Sequence, residues 1–270
     1  MARNGLAIFR DNANICFKSA NAKNIMAKRI RSLALDMAPD EGFPFHKHRR
    51  HQLSMAEGGF FTLIANGSAF VVPAMQAIIV PPEVAHAVQA RDHTRFCSIY
   101  LSPDAGRFLP DRPVIMTLTP LLRELVLAAM KLPERYSPTG PSARLVAVIM
   151  DQLRGLTPEE GRKLPIPADP RLARIAAALL DNPADPRRLD DWAKFAAVSA
   201  RTLLRLFHTE TGMTFEAWRT QMRVASAIAW LTEGRRVSDV AFDLGYETPS
   251  AFIAMFRKQT GFSPRKYVMR

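Results

Sequence analysis

VSDVAFDLGYETPSAFIAMFRKQTGFSPRKY, residues 237–267, decides the C-terminal half of the chain. Val237–Leu244 has the spacing of a short amphipathic helix, and Gly245 supplies a turn. Thr248 is a good N-cap, Pro249 is favoured at a first helical position, and Gly261 is a helix stop. A second helix is therefore predicted between Pro249 and Gly261. Val240, Ala241, Phe252 and Phe256 fall on its inward face and that of its partner. Two helices joined by a tight Gly-containing turn form a helix-turn-helix, whose second helix fits a DNA major groove about 12 Å wide.

The same plan occurs earlier. Leu189–Ala196 is a short amphipathic helix, Ala197-Val198 a turn, and Ser199 an N-cap for a helix from Ala200 to Thr211, stopped by Gly212. Ala193, Leu203, Leu206 and Phe207 supply the inward face. A long helix, Phe215–Leu231, joins the two motifs. A single short helical pair is as well explained by a plain helical bundle. Two tandem copies, in a region of 16 basic and 11 acidic residues (166–270), favour DNA.

Val237–Tyr267 and SARTLLRLFHTETGMTFEAWRTQMRVASAIAWL (Ser199–Leu231) together resemble the AraC/XylS family of bacterial transcription regulators. The resemblance implies two helix-turn-helix motifs reaching successive major-groove segments on one face of DNA, about one turn apart. It makes positions 201, 204 and 205 base-facing. Arg201 and Arg205 lie four apart on one helical face, and arginine is the commonest bidentate reader of guanine. Leu204 lies between them. In the second motif Pro249, Ser250, Ile253 and Ala254 offer little hydrogen bonding. They depart from relatives with polar groups there and suit thymine methyls or phosphate docking. The expected base-reading set is Arg201, Leu204, Arg205, Pro249, Ser250 and Ala254. Arg257, Lys258, Arg265 and Lys266 are expected on phosphates.

The rest of the composition agrees with such a partner. The 270 residues are 48% hydrophobic and 23% charged, with net charge +12, an ordinary globular balance for two domains. The excess sits at the ends: residues 1–31 carry seven Lys/Arg against one Asp, while residues 32–165 are nearly neutral. No apolar run approaches the roughly 18 residues of a membrane span, so no membrane partner is expected. Cys16 and Cys97 cannot form a disulfide framework, and Met1–Arg10 has neither a long apolar core nor a small-residue cleavage site. A cytoplasmic protein is expected.

Working towards the N-terminus, residues 171–270 form the DNA-binding domain, with its two motifs at about 189–211 and 237–260. Residues 156–170 carry Pro158, Pro165, Pro167 and Pro170, a linker composition. Residues 116–155 show two helical stripes, Leu121, Leu122, Leu125, Val126, Ala129 and Leu145, Val146, Ile149, Met150, Leu153, predicting a helical hairpin and a dimerisation element. Residues 32–115 hold short apolar runs at Leu53–Met55, Phe60–Ile64, Ala69–Val72, Ala77–Val80 and Phe96–Leu101. Turns punctuate them, and Asn66-Gly67 is a strong hairpin signal. Residues 1–31 read as a basic, poorly ordered leader. The fold class is α+β: a cupin-like β-barrel followed by an all-α domain with two helix-turn-helix motifs.

Three of six histidines lie in Phe45–Gln52, FHKHRRHQ. The pattern His46-x-His48, three residues, Gln52, six residues, Gly59, then Pro81 and His86, resembles the two cupin motifs. AraC-type regulators commonly carry such a barrel as their sensor. Gln52 replaces the usual Glu, and Glu83 a turn Gly. His46, His48, Gln52 and His86 are thus the expected lining of an effector or metal pocket; imidazole suits Zn, Fe, Ni or Cu, whereas a neutral amide is a poorer ligand than carboxylate. Spacing puts His51 out of phase and at the surface, His93 in an exposed turn and Cys97 in the core.

The resulting expectation is a sequence-specific transcription regulator, activator or repressor, and not an enzyme. Its expected partners are double-stranded DNA, a small-molecule effector, RNA polymerase and a second copy of itself. The chain also resembles the branch that controls efflux or detoxification genes. A metal-dependent cupin enzyme with a helical appendage competes with this reading, as does a constitutive DNA binder whose barrel only dimerises. Gln52 weighs against the enzyme, and no Ser/His/Asp arrangement or phosphate-binding Gly-rich loop accompanies it.

Overall fold

Asn66 and Gly67 both take positive φ, 48° and 65°, the pairing a two-residue hairpin turn demands, and they link β4 (Phe60–Ala65) to β5 (Ser68–Pro73). The computed structural model describes residues 30–133, 136–159 and 163–269. These fall into two units, one of residues 30–66 and 72–159, the other of residues 67–71 and 163–269. The remaining strands are β1 (Ile30–Met37), β2 (Gly42–His46), β3 (His51–Ala56), β6 (Gln76–Val80), β7 (His86–Ala90), β8 (Thr94–Leu101), β9 (Val114–Thr117), β10 (Pro158–Glu159) and β11 (Leu164–Pro165). They form a six-stranded sheet, β1-β8-β3-β6-β9-β10, and a five-stranded sheet, β11-β5-β4-β7-β2.

The alternation of β3 sorts the first unit into two layers. Leu53 and Met55 stand opposite Ile99 and Cys97 of β8. This face packs against α1 (Pro120–Ala129) and α2 (Pro141–Arg154) through Leu122, Val126, Val146, Ile149 and Leu153. Truncating one of these buried leucines to Ala would cost about 2–5 kcal/mol. The other face carries Gln52, Ser54 and Ala56 opposite Tyr100, Ser98 and Phe96. Phe96 meets Phe61 and Phe43 of the five-stranded sheet, at ring centroid distances of 5.0 and 5.8 Å. The helical hairpin is as expected, except that Leu121, read as part of the stripe, is 54% exposed: α1 begins at Pro120 and its inward rows are 122, 126 and 129.

Apart from β11 and the part of β5 it pairs with, the second unit is helical: α3 (Pro170–Asp181), α4 (Leu189–Phe195), α5 (Ala200–Thr211), α6 (Phe215–Thr232), α7 (Val237–Asp243), α8 (Pro249–Thr260) and α9 (Pro264–Val268). Leu172, Ile175, Leu179, Trp192, Leu203, Phe207 and Trp218 are buried in it. Among the described residues no helix is long and apolar enough to cross a membrane.

Several boundaries differ from those expected. Ile30 and Arg31, assigned to the leader, open β1; the rest of the leader, with Cys16, lies outside the described residues. The Pro-rich linker contains two short strands: Pro158–Glu159 pair with β9, and Leu164–Pro165 with β5. A two-residue bridge has no periodicity to read. The apolar runs also leave out β1, β2, β7 and β9. Pro44 in β2 depresses its strand signal, but β2 is an edge strand, where a missing N–H is tolerated.

Candidate functional site

In the first motif α4 ends at Phe195, and Ala197 turns the chain with φ 54°. Ser199 Oγ accepts from the Thr202 N–H at 3.1 Å, starting α5, which Gly212 ends in the left-handed conformation. Leu203 and Phe207 point inward, the Phe207 ring lying 5.2 Å from Phe215 and 5.5 Å from Trp218. Leu206, expected inward with them, is only half-buried. Arg201, Leu204, Arg205 and His208 are exposed.

The second motif repeats the device. Thr248 Oγ1 accepts from the Ala251 N–H at 3.2 Å, Pro249 takes the first turn of α8, and Gly261 ends it. Phe252 and Phe256 are buried with Val240, Ala241 and Leu244. Ser250 and Ala254 are exposed and Pro249 is half-buried. Ile253 is half-buried against the apolar cluster, so it is less outward than its spacing suggested. Arg257 and Lys258 are exposed on the last turn of α8, and Arg265 and Lys266 on α9.

The basic side chains of this unit serve in two different ways, which periodicity alone does not separate. Arg171 and Arg187 grip Asp169 and Asp185, and Arg235 grips Asp243. Arg219 donates to the Asp185 and Arg187 carbonyls, and Arg223 to that of Pro183. These hold the fold. Arg201, Arg205, Arg257 and Lys258 stand exposed, and among the described residues none is in an ion pair. A cation without a carboxylate partner keeps its donors for phosphate or base edges.

In the first unit β2 and the turn after it bring His46 and His48 to His86 at the start of β7. The ring centroids are 4.3 Å apart for His46–His86 and 5.0 Å for His48–His86. One ring nitrogen from each of the three lies within 4.8 Å of the others. His48 is not in the strand with His46, as alternation implied, but in the turn that follows. The loop between β6 and β7 packs on it: Glu83, where a glycine was expected, takes φ 63°, its N–H donates to the His48 carbonyl and its carboxylate pairs with Lys47 at 3.1 Å. Gln52 is buried beside the cluster. Its Oε1 accepts from His48 Nε2 at 2.7 Å, and its Nε2 donates to Ser54, Ser98 and Tyr100 at 2.9, 3.0 and 3.2 Å. Desolvation lowers the His86 pKa to about 4 and pushes Tyr100 up to about 12. Buried imidazole is thus held neutral, the form that offers a lone pair.

His51 is buried, not at the surface. The turn over residues 47–50 resets the alternation, and His51 opens β3 on the face opposite Gln52, under Gly106. A Cβ at Gly106 would stand 2.3 Å from the ring, so any larger residue there would force the buried ring to shift. His93 is exposed and Cys97 buried, as expected.

Residues 32–188 match the family described as AraC-like ligand binding domain, and residues 192–270 one described as a helix-turn-helix domain. The HTH-type transcriptional regulator NimR of Escherichia coli (strain K12) is 32% identical over 227 residues, 84% of this chain and 82% of that one. The HTH-type transcriptional activator RhaS of Escherichia coli (strain SMS-3-5 / SECEC) is 24% identical over 267 residues, 92% and 93% of the two chains. Among solved structures, ToxT from Vibrio cholerae O395 aligns with a TM-score of 0.38 and 13% identity, covering 90% of this chain and 98% of that one. With both of its domains matched and a full-length likeness to regulators, the chain belongs to the AraC family of helix-turn-helix transcription regulators and is not an enzyme.

Proposed function

We propose that the chain is an effector-controlled, sequence-specific regulator whose two motifs divide the work on DNA. Arg201, Leu204 and Arg205 on α5 read bases. Pro249, Ser250 and Ala254 present a small surface to the groove, so α8 contributes mainly through methyl contacts and through Arg257, Lys258, Arg265 and Lys266 on phosphates. The observation that carries this reading is the unpaired, exposed state of Arg201 and Arg205 on a helix whose other face is locked into the core.

The small-molecule effector binds in the N-terminal domain, with His46, His48, Gln52 and His86 at the polar end of its site and the imidazoles offering a place for a divalent ion. An effector changes transcription only by favouring one of two states of the protein. The regulator works as a homodimer in the cytoplasm, contacts RNA polymerase, and controls an efflux or detoxification gene; the resemblance noted above supports this last assignment.

The test is binding of the purified protein to its own upstream DNA, at one stated salt concentration, against scrambled DNA of equal length. A preference of about a thousandfold or more is expected. Equal affinity for both would leave only charge-driven binding and overturn the reading.

A further inference from the structure

We propose that residues 182–188, the loop between α3 and α4, form a strut that fixes the angle between the two helix-turn-helix motifs, and that Arg219 and Arg223 of α6 are the positioning residues that hold it. What that angle means for DNA rests on the reading above, in which both motifs touch one duplex; the strut itself does not.

The loop is tied to α6 and to both motifs. Arg219 and Arg223 lie four apart on one face of α6. Arg219 donates to the carbonyls of Asp185 and Arg187, and Arg223 Nε to that of Pro183 at 3.0 Å. The two guanidiniums thus grip the loop backbone at every second residue. Toward the first motif the contact is made by Arg187, whose guanidinium stacks on Trp192 and lies 4.9 Å from the centre of the Phe195 ring, both on α4. Toward the second motif Ala184 lies against the turn between α7 and α8. A Cβ on Gly245 would come within 3.2 Å of the Ala184 carbonyl oxygen, so turn and loop meet backbone to backbone. Arg223 also sits 5.5 Å from the centre of the Tyr246 ring, which packs 5.7 Å from Phe252 on the buried face of α8.

The length of α6 is the reason a strut matters. Its 18 residues span about 27 Å. The first motif grips its start, through Phe207 against Phe215 and Trp218; the second grips its end, through Ala227, Ile228 and Leu231. Long helices bend gently. A swing of about 10° over that length moves the far motif by about 5 Å, more than the roughly 3.4 Å between phosphates along a strand. A loop bound to α6 and to both motifs turns a single rod into a triangle, so bending must break hydrogen bonds. Those bonds use ionised donors, which makes them the stronger kind.

The test measures the angle and its consequence separately. In full-length Cys16→Ser protein, spin labels on His208→Cys and Gln259→Cys, exposed positions of α5 and α8, report the distance between the motifs. One narrow distance distribution is expected. Arg219→Ala/Arg223→Ala should broaden or shift it while far-UV circular dichroism keeps its helix signal. Unlabelled proteins are then titrated, at one salt concentration, with the upstream DNA fragment and with a copy carrying two extra base pairs between the segments that the two motifs protect. For the wild type the insertion should weaken binding by about a hundredfold, since only one motif can then engage. The double variant should bind the natural spacing about tenfold more weakly and lose only about threefold more on the insertion. A fold that is merely weakened would lose affinity on both probes alike and keep the full insertion penalty, and that result overturns the proposal. So does a distance distribution that is broad in the wild type or unchanged in the variant. If the double variant does not fold, Arg223→Lys, which keeps the charge but not the planar group over Tyr246, makes the same comparison. A narrow wild-type distance without DNA preference leaves the strut standing and overturns the regulator reading alone.

Discussion

The guanidinium of Arg187 lies 3.8 Å over the ring of Trp192 while its Nε and Nη2 hold the carboxylate of Asp185. Trp192 is fully buried near the start of α4, so this stack helps fix the first helix of the first motif. Lysine cannot both stack and grip a carboxylate with a planar fork. Arg187→Lys should cost about 1–2 kcal/mol in urea unfolding, and Arg187→Ala about 2–4 because the mostly buried Asp185 is left alone. A wild-type unfolding midpoint in Arg187→Ala would show that the stack is ornamental.

Asp185 also gives a pH dependence. The Arg187 guanidinium beside it holds its carboxyl below the usual value of 3.8. A pKa lowered by folding adds stability that is complete above the unfolded value and disappears as pH falls through the folded one. The stability gap between wild type and Asp185→Asn should therefore be constant from neutral pH down to about 5 and close below about 3.8. Urea midpoints measured along that series check it; a gap that persisted at low pH would contradict the assignment.

Two of the exposed cations, Arg205 on α5 and Lys258 on α8, should differ in what their loss does on DNA. Arg205→Ala should reduce preference for the operator by about 1–3 kcal/mol and leave random-sequence binding nearly intact. Lys258→Ala should weaken all sequences alike and lower the salt slope by about one. Parallel titrations of operator and scrambled DNA at several salt concentrations separate the two. Equal losses on both DNAs for Arg205→Ala would move that residue to the phosphate group.

The hydroxyl caps carry measurable stability. Ser199→Ala and Thr248→Ala each remove the acceptor for one N–H at the start of a recognition helix. Each should cost about 1 kcal/mol, and Gly in place of Ala only a few tenths. Thermal unfolding of the four variants is the check, and indistinguishable Ala and Gly variants would count against capping.

Cys97 should be chemically silent. Burial pushes its thiol up to about 11, so at pH 8 about one part in a thousand is thiolate. In a Cys16→Ser background, iodoacetamide should modify Cys97 in urea but not in the native protein. Rapid labelling without denaturant would contradict this.

The DNA-binding unit was legible because its signals are local. Ser199, Gly212, Thr248, Pro249 and Gly261 each act within one helical turn, and all stand where their chemistry puts them. The strands were legible only where apolar residues ran together, as in β3, β4, β6 and β8. HAVQA in β7 and VIMT in β9 become strands through their partners rather than through their own pattern. The misplacement of His51 has one cause: a turn was counted as strand, and one slip exchanges faces. Spacing did name the three clustered histidines, but it gave Gln52 a ligand's place. Only the hydrogen bonds to Ser98 and Tyr100, more than 40 positions away in sequence, show that its amide is already engaged.

The unlike surfaces of α5 and α8 have a consequence for the genome that surrounds such a protein. On the division of work proposed above, bases facing the exposed Ser250 and Ala254 would meet little that could reject a substitution, so mutations there would carry a small selective penalty and accumulate. Bases facing Arg201 and Arg205 would be held. Natural targets should therefore share one invariant half beside a half that has drifted, and the information content of an aligned set of sites should be lopsided. A target search that weights both halves equally would miss true sites, and one anchored on the arginine half would recover them.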